Sequence, residues 1–396
     1  MRKWLFRICM LAAIGIAAYS VESKLDFFPA IAQSGDHTTL LSLEQKLAEH
    51  FQNHDESFSL TFIGDKNELA DQLSEVIRAA LRRDDYSAYI LHSYVYTIRS
   101  WGNQSTISIE AKYRETREQT ASVAAHAAKT IAEIIKPAMN DHEKVKAIHD
   151  WVVSKVEYDQ SLTNYTAYSA LTTGLAVCQG YSLLTYKLMK EAGIPVLIAE
   201  GSVNTGEHAW NMIELDGVWY HLDTTWDDPV IRNSDGTVAS ALGDNAADKP
   251  IRYNYYLKSD EELRADHQWT RQYPEASTSY ASVITELSQN GADAEENERF
   301  VRLKQQLGLH WLDSKYTVEN TSALRKVIQA ALAERETALQ FRYLPGEAGF
   351  SVSLREAFNG TNVAVGYRVS YETISPDGSL MVSIQLDYDV AAIEGA

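Results

Sequence analysis

The chain has 396 residues, 45% hydrophobic and 23% charged, with 36 Lys and Arg against 54 Asp and Glu. Such a composition builds globular domains and excludes a disordered or collagen-like chain, and a formal net charge of −18 argues against nucleic-acid binding by general electrostatics. Two cysteines, Cys9 and Cys178, can make neither a disulfide scaffold nor a four-cysteine zinc site.

The first elements concern export. Arg2, Lys3 and Arg7 precede a short apolar run from Ile8 to Ala18, followed by small residues. This layout predicts a secretory signal peptide over residues 1–20. A membrane-spanning helix needs about 17–25 apolar residues, and Arg7 interrupts the run before that length, so any membrane contact is expected through this segment alone, as signal or as uncleaved anchor. Cys9 reads as a small apolar residue within the run. The protein is expected to be secreted or held at the cell surface.

Residues 37–116 predict a small α+β module. Thr38 to His54 has helical periodicity and Ser57 to Phe62 alternates as a strand. Asn67 to Arg83 is helical, with Leu69, Leu73, Val76, Ile77 and Leu81 on one stripe. Ala88 to Arg99 and Thr106 to Tyr113 read as a hairpin around Gly102-Asn103. Residues 120–275 form a middle domain that opens with helices over Ala121 to Lys136 and Asp141 to Lys155, the second capped by Asn140 or Asp141. Residues 276–318 look like a polar, acidic linker that becomes helical. Residues 319–390 repeat the α-β-α-β-β order: a helix over Thr321 to Glu334, a strand over Ala338 to Tyr343, a short helix over Phe350 to Phe358, and a hairpin of Val363 to Ile374 with Leu380 to Tyr388 around Pro376-Asp377-Gly378. The two flanks read as copies of one αβαββ module.

The middle domain carries the chemistry. The run from Cys178 to Ala192 is helical and stops at Gly193-Ile194-Pro195, which puts Cys178 at or just before a helix N-terminus. Free backbone N–H groups and the helix dipole favour an anion there, so a nucleophilic thiolate is expected. A buried structural cysteine is the alternative. Val196 to Val203 reads as a strand. After it, Glu207 to Leu215 and Val218 to Asp223 flank Asp216-Gly217, a strong hairpin signal. With those two residues in the turn, Leu215 faces Val218 and Asp223 faces Trp210, which makes His208 and Asp223 diagonal neighbours on one face. A carboxylate there can hold one imidazole nitrogen and leave the other to act as base. His221 shares the face but lies opposite Met212, so His208 ranks above it. No His-x₃-His pair carries an acidic insert of the zinc-enzyme kind; His50 and His54 have the spacing without it.

Several motifs resemble the bacterial transglutaminase-like superfamily of papain-fold thiol enzymes, over roughly Asp141 to Trp269. They are Lys146-Ala147-Ile148-His149-Asp150-Trp151 leading to Tyr158-Asp159, then Tyr168-Ser169-Ala170-Leu171, then Gly174-Leu175-Ala176-Val177-Cys178-Gln179-Gly180-Tyr181, then Gly206-Glu207-His208-Ala209-Trp210-Asn211, then His221-Leu222-Asp223-Thr224-Thr225-Trp226-Asp227-Asp228-Pro229. The resemblance implies an α+β fold with a papain-like core, a cysteine-bearing helix packed on an antiparallel sheet, between the two flanking modules. It places nucleophile, base and orienting acid at Cys178, His208 and Asp223. It implies no cofactor and no metal, since the calcium loops of animal transglutaminases have no match; Asp227 and Asp228 are expected to shape the loop before Pro229. The reaction implied is acyl transfer or hydrolysis on a protein or peptide amide, with cell-wall peptide among the candidate partners. Tyr168, Gln179 and Trp210 are candidates to meet the oxyanion or substrate. The competing expectation is a non-catalytic cell-surface binding protein that uses the core as a scaffold, its acidic surface suited to cationic partners.

Overall fold

A computed structural model describes residues 38–228, 251–359, 365–374 and 377–388. The export segment with Cys9, and Pro229 and Pro376, lie outside the described residues. Among the described residues, no helix is long and apolar enough to cross a membrane. They divide into two compact units: those up to Leu257 together with Asp266–Ala276, and Lys258–Ala265 together with those from Ser277 onward.

The first unit begins with α1 (Leu40–Gln52), β1 (Ser57–Ile63), α2 (Lys66–Leu81), α3 (Asp85–Ile90), β2 (Leu91–Trp101) and β3 (Gln104–Tyr113). Thr39 caps α1 and Asp65 caps α2, each through its side-chain oxygen. Leu43, Leu47 and Phe51 on α1, and Leu69, Leu73 and Ile77 on α2, are fully buried at helical spacing. They cover one face of an antiparallel sheet of order β1-β3-β2, whose inward positions are Phe58, Phe62, Tyr94, Tyr96, Ile107 and Ile109. The strand expected from Ala88 starts later. Asp84 caps a short helix instead, its carboxylate accepting from the Ser87 N–H and hydroxyl. Burial of Tyr86, Tyr89 and Ile90 outweighs the strand propensity of those residues.

The unit continues with α4 (Arg117–Ile134), α5 (Asp141–Lys155), β4 (Glu157–Tyr158), α6 (Ala167–Thr173), β5 (Leu175–Ala176), α7 (Cys178–Glu191), β6 (Val196–Val203), β7 (Gly206–Leu215) and β8 (Val218–Leu222). Capping boxes start α4 at Thr116, a few residues earlier than its apolar pattern suggests, and α5 at Asn140. Strands β6, β7 and β8 form an antiparallel sheet in that order. The β7–β8 turn has positive φ at both Asp216 (52°) and Gly217 (79°), as a two-residue hairpin of matching twist requires. Helix α7 packs against α4, α5, α6 and β7, with Tyr181, Leu183, Leu184, Leu188 and Met189 wholly buried.

The second unit holds α8 (Asp260–Leu263), α9 (Tyr280–Asn290), α10 (Ala294–Gln306), β9 (Thr317–Val318), α11 (Thr321–Glu334), β10 (Ala338–Tyr343), α12 (Phe350–Phe358), β11 (Gly366–Ile374) and β12 (Ser379–Asp387). The segment expected as a linker that becomes helical holds a packed helix pair, α9 against α10. Its polar composition hides a buried stripe of Tyr280, Ile284, Phe300 and Leu303. The sheet order is β11-β12-β10-β9. Leaving out β9, this is the β1-β3-β2 order again, so the two modules share topology as well as element order; α3 is the addition in the first module and β9 in the second.

Candidate active site

Cys178 is the first residue of α7. Val177 before it is extended and gives no side-chain cap, so the first N–H groups of the helix are not taken up by a capping side chain. Three contacts fix that helix start. Strand β5, immediately before it, pairs in parallel with β4. The Val177 N–H donates to the Asn164 carbonyl at 2.8 Å. The loop that supplies Asn164 wraps the buried Asp159 carboxylate, which accepts from the backbone N–H of Ser161, Thr163 and Asn164 at 2.9 Å each. Burial would raise the Asp159 pKa, but the Ser161 hydroxyl and these N–H groups hold it well below the usual carboxylate range. Gly180 seals the arrangement: a Cβ there would lie 2.8 Å from Ala176 Cβ and 3.1 Å from the Thr166 carbonyl.

The hairpin supplies the second part. The β7–β8 ladder runs from Leu215↔Val218 to Asn211↔Leu222, in the register read from the turn. Asp223 is the next residue, and its N–H turns away to the Tyr255 carbonyl at 3.1 Å. Its carboxylate lies against His208, whose Nε2 stands 2.6 Å from Asp223 Oδ2. Oδ1 accepts from the N–H of Thr225 at 2.9 Å and of Trp226 at 3.2 Å. A second imidazole, His267, places Nε2 3.2 Å from the same Oδ2. Asp223 and His267 are wholly buried and His208 is 7% exposed.

These neighbours set the charges. Burial alone would pull His208 down, but the charge and hydrogen bond of Asp223, with a polar contact and charge from Cys178, push the ring up to about 10. Burial opposes ionisation of Asp223, yet His208 and His267 hold its carboxyl well below the usual range. Burial, and next the charge of Cys178, push the Tyr158 phenol up to about 12, so it stays protonated and able to donate. Cys178, His208 and Asp223 are therefore brought to one place, with Tyr158 beside the cysteine.

Other expected residues have different partners. The Trp210 indole N–H donates to His221 Nδ1 at 2.9 Å, which occupies its only side-chain donor. Gln179 donates its side-chain amide to the Tyr89 carbonyl at 2.7 Å, so it braces α7 on α3. Both side chains thus have hydrogen-bond partners within the fold. Tyr168 gives its backbone N–H to Glu115 Oε1 at 2.9 Å, and its side chain is half-buried. Asp227 and Asp228 are both locked. Asp227 accepts from the Tyr255 N–H and faces His149 Nε2 at 3.1 Å, and Asp228 accepts from the Tyr181 hydroxyl at 2.5 Å.

His208, Asp223 and His267 offer donor atoms within 4.8 Å of one another, a set that could hold a cation by residue type. However, Oδ2 of Asp223 already bridges the two imidazoles, so binding an ion there would have to break both contacts. Sequence reasoning missed His267 and Tyr158. His267 lies on a loop with no periodic pattern and is placed by a β-bridge from Gln268 to the distant Ser202. Tyr158 lies in a motif noted from sequence, and its place beside Cys178 comes from the two-residue β4–β5 pairing, too short to show as a pattern.

A cysteine-bearing helix stands with an antiparallel sheet whose adjacent hairpin joins a histidine to an aspartate. Residues 128–224 match the family model of the transglutaminase-like superfamily, so the α+β fold carries a transglutaminase-like domain. Kyphoscoliosis peptidase of mouse and of human is each 27% identical over 114 residues; the match covers 24% of this chain and 17% of each relative. Among solved structures, a candidate cysteine protease from Cytophaga hutchinsonii is 19% identical, covers 32% of this chain and 55% of its own, and has a TM-score of 0.24. A structure described as a TGase is 13% identical, covers 49% and 60%, and has a TM-score of 0.26.

Proposed function

We propose that this chain is an exported thiol enzyme that uses Cys178, His208 and Asp223 for acyl transfer or hydrolysis on protein or peptide amides, at the cell surface or wall. The observation that carries the reading is the 2.6 Å contact of His208 with a fully buried aspartate, on an imidazole that also feels Cys178. The transglutaminase-like domain over residues 128–224 supports a protein or peptide as substrate, and the basic-apolar N-terminal run supports export.

The chemistry follows from the placement. The Cys178 thiolate attacks the amide carbonyl and forms a C–S bond. The His208 imidazolium gives its proton to the leaving amine as the C–N bond breaks, while Asp223 holds the ring. Water or a second amine then attacks the thioester, its proton passing to His208, and the thiolate is released. The oxyanion is met by the Cys178 backbone N–H, with the Tyr158 phenol as second donor and Tyr168 as the alternative.

Low exposure of Cys178 (4%) favours the second reading, a non-catalytic scaffold that binds partners at the surface. The two are separated by incubating the full chain with a glutamine-rich protein and a tagged primary amine. Tag incorporation indicates transfer and new peptide ends indicate hydrolysis. Either product should vanish in Cys178→Ala. Product that survives the substitution contradicts the assignment of the nucleophile, and the absence of both products across varied protein and peptide substrates supports the scaffold.

A further inference from the structure

His267 lies outside the three residues named above, yet it is built into their support with unusual completeness. Its ring stands between two carboxylates, Nε2 at 3.2 Å from Asp223 Oδ2 and Nδ1 at 2.6 Å from Asp266 Oδ1. Asp266 is itself held, accepting from the Tyr255 hydroxyl at 2.6 Å through its other oxygen. Tyr255 also donates its N–H to Asp227 and accepts the Asp223 N–H on its carbonyl. The ring is enclosed by aromatic neighbours, with centroids 4.6 Å from Trp226, 5.2 Å from Trp210 and 5.3 Å from His208.

The backbone around His267 is fixed as firmly. Gln268 bridges to Ser202 through two N–H···O=C bonds of 2.8 Å, along the free edge of β6. The approach depends on Gly201: a Cβ there would lie 2.1 Å from the Gln268 carbonyl oxygen and 2.8 Å from the Trp210 ring. The segment is thus pressed onto the sheet where no side chain fits, and the residue delivered to Asp223 is His267.

A buried carboxylate with an unfilled acceptor can rotate towards any donor; one whose four acceptor positions are filled cannot. Thr225 and Trp226 N–H fill those of Oδ1, and His208 and His267 fill those of Oδ2. Without His267, Oδ2 would keep only the base, and the carboxylate would be anchored through Oδ1 alone. We infer that His267 is a positioning residue, which holds Asp223 Oδ2 through a second contact beside that of His208 and so keeps His208 in line with Cys178. This rests on the assignment of Cys178, His208 and Asp223 proposed above.

The test exploits the shapes of two amides. The terminal nitrogen of a glutamine reaches about where histidine Nε2 lies, while that of an asparagine reaches about where Nδ1 lies. His267→Gln can therefore keep the bond to Asp223 and lose Asp266; His267→Asn keeps the side facing Asp266 and leaves Oδ2 unclamped. The readout is the second-order rate of Cys178 alkylation by iodoacetamide at neutral pH in the full chain, beside the thermal midpoint. His267→Asn should slow alkylation about tenfold, the scale typical for loss of an outer partner that orients an imidazole, while His267→Gln stays within about threefold of wild type. Equal rates in the two variants, or the reverse order, would overturn the inference, because a merely structural role follows the midpoint and does not distinguish the nitrogens. His208→Ala is the control: if it leaves the wild-type rate unchanged, the enzyme reading itself fails; if it slows the rate while both His267 variants react as wild type, only the clamp fails.

Discussion

The places of Cys178, His208 and Asp223 were legible from the sequence for two physical reasons. A helix stop at Gly193 and Pro195 located the start that bears Cys178, and the Asp216-Gly217 turn fixed the register that sets His208 near Asp223. What alternation could not show is that Asp223 leaves the ladder and takes its N–H to Tyr255, or that a loop histidine shares its carboxylate. Removing the sulfur in Cys178→Ala should abolish activity and shift the thermal midpoint by only a few degrees, since one small buried atom is lost; a collapse of folding would mark Cys178 as structural. The pair has a pH signature. His208 is raised above its ordinary value, so its stabilising share is complete below about pH 6.5 and is lost as pH rises towards 10. Asp223 is depressed, so its share is complete above about pH 4 and is lost on acidification. The stability gap between wild type and Asp223→Ala, measured by urea unfolding, should therefore be widest between those limits, on the order of 3 kcal/mol, and narrow on either side. A gap that stays flat to pH 10 would contradict the pairing.

At the scale of elements, segments with a clear apolar period were readable and those whose local composition masked or opposed their packing were not. Helix α11, strand β10 and helix α12 fall on their expected residues because each has a clear apolar period and flanking caps or turns. The second half of α3, from Ala88, reads as strand because Tyr and Ile favour strands locally, while its helix is set by the Asp84 cap and by packing on α7. Helical character over 276–318 was legible, but the packing of α9 on α10 was hidden by acidic surface residues. The start of α7 is the element on which the site depends, and Gly180 is its most exacting position. Gly180→Ala brings a methyl group to 2.8 Å from Ala176 Cβ, which should cost about 1–3 kcal/mol of stability and slow thiol alkylation as the first turn is displaced. An alkylation rate and midpoint equal to wild type would show that the loop of Asn164 and Thr166 does not set the position of Cys178.

At the scale of the molecule, residues 37–116 read from sequence as a flanking module. In the structure they belong to the same compact unit as the cysteine and histidine. Helix α3 makes the join: Asp85 accepts the Ile198 N–H at 2.8 Å, Tyr89 takes the Gln179 amide, and Tyr89 donates its hydroxyl to Glu200 at 3.1 Å. None of these long-range bonds has a local signature. All partners named for Cys178, His208 and Asp223 precede Ala276. A chain ending at Ala276 should therefore keep its alkylation rate, whereas one lacking residues 38–113 should lose it together with its near-ultraviolet circular dichroism. Retained reactivity after the second deletion would show the first module to be dispensable.

The most direct test of the central claim is the rate at which iodoacetamide alkylates Cys178 at neutral pH, compared among the full-length wild type, His208→Ala and Asp223→Asn. A thiol activated by the imidazole and its buried aspartate should react well faster than free cysteine and slow by about tenfold or more in both variants. A wild-type rate no greater than that of free cysteine, unchanged by either substitution, would contradict it.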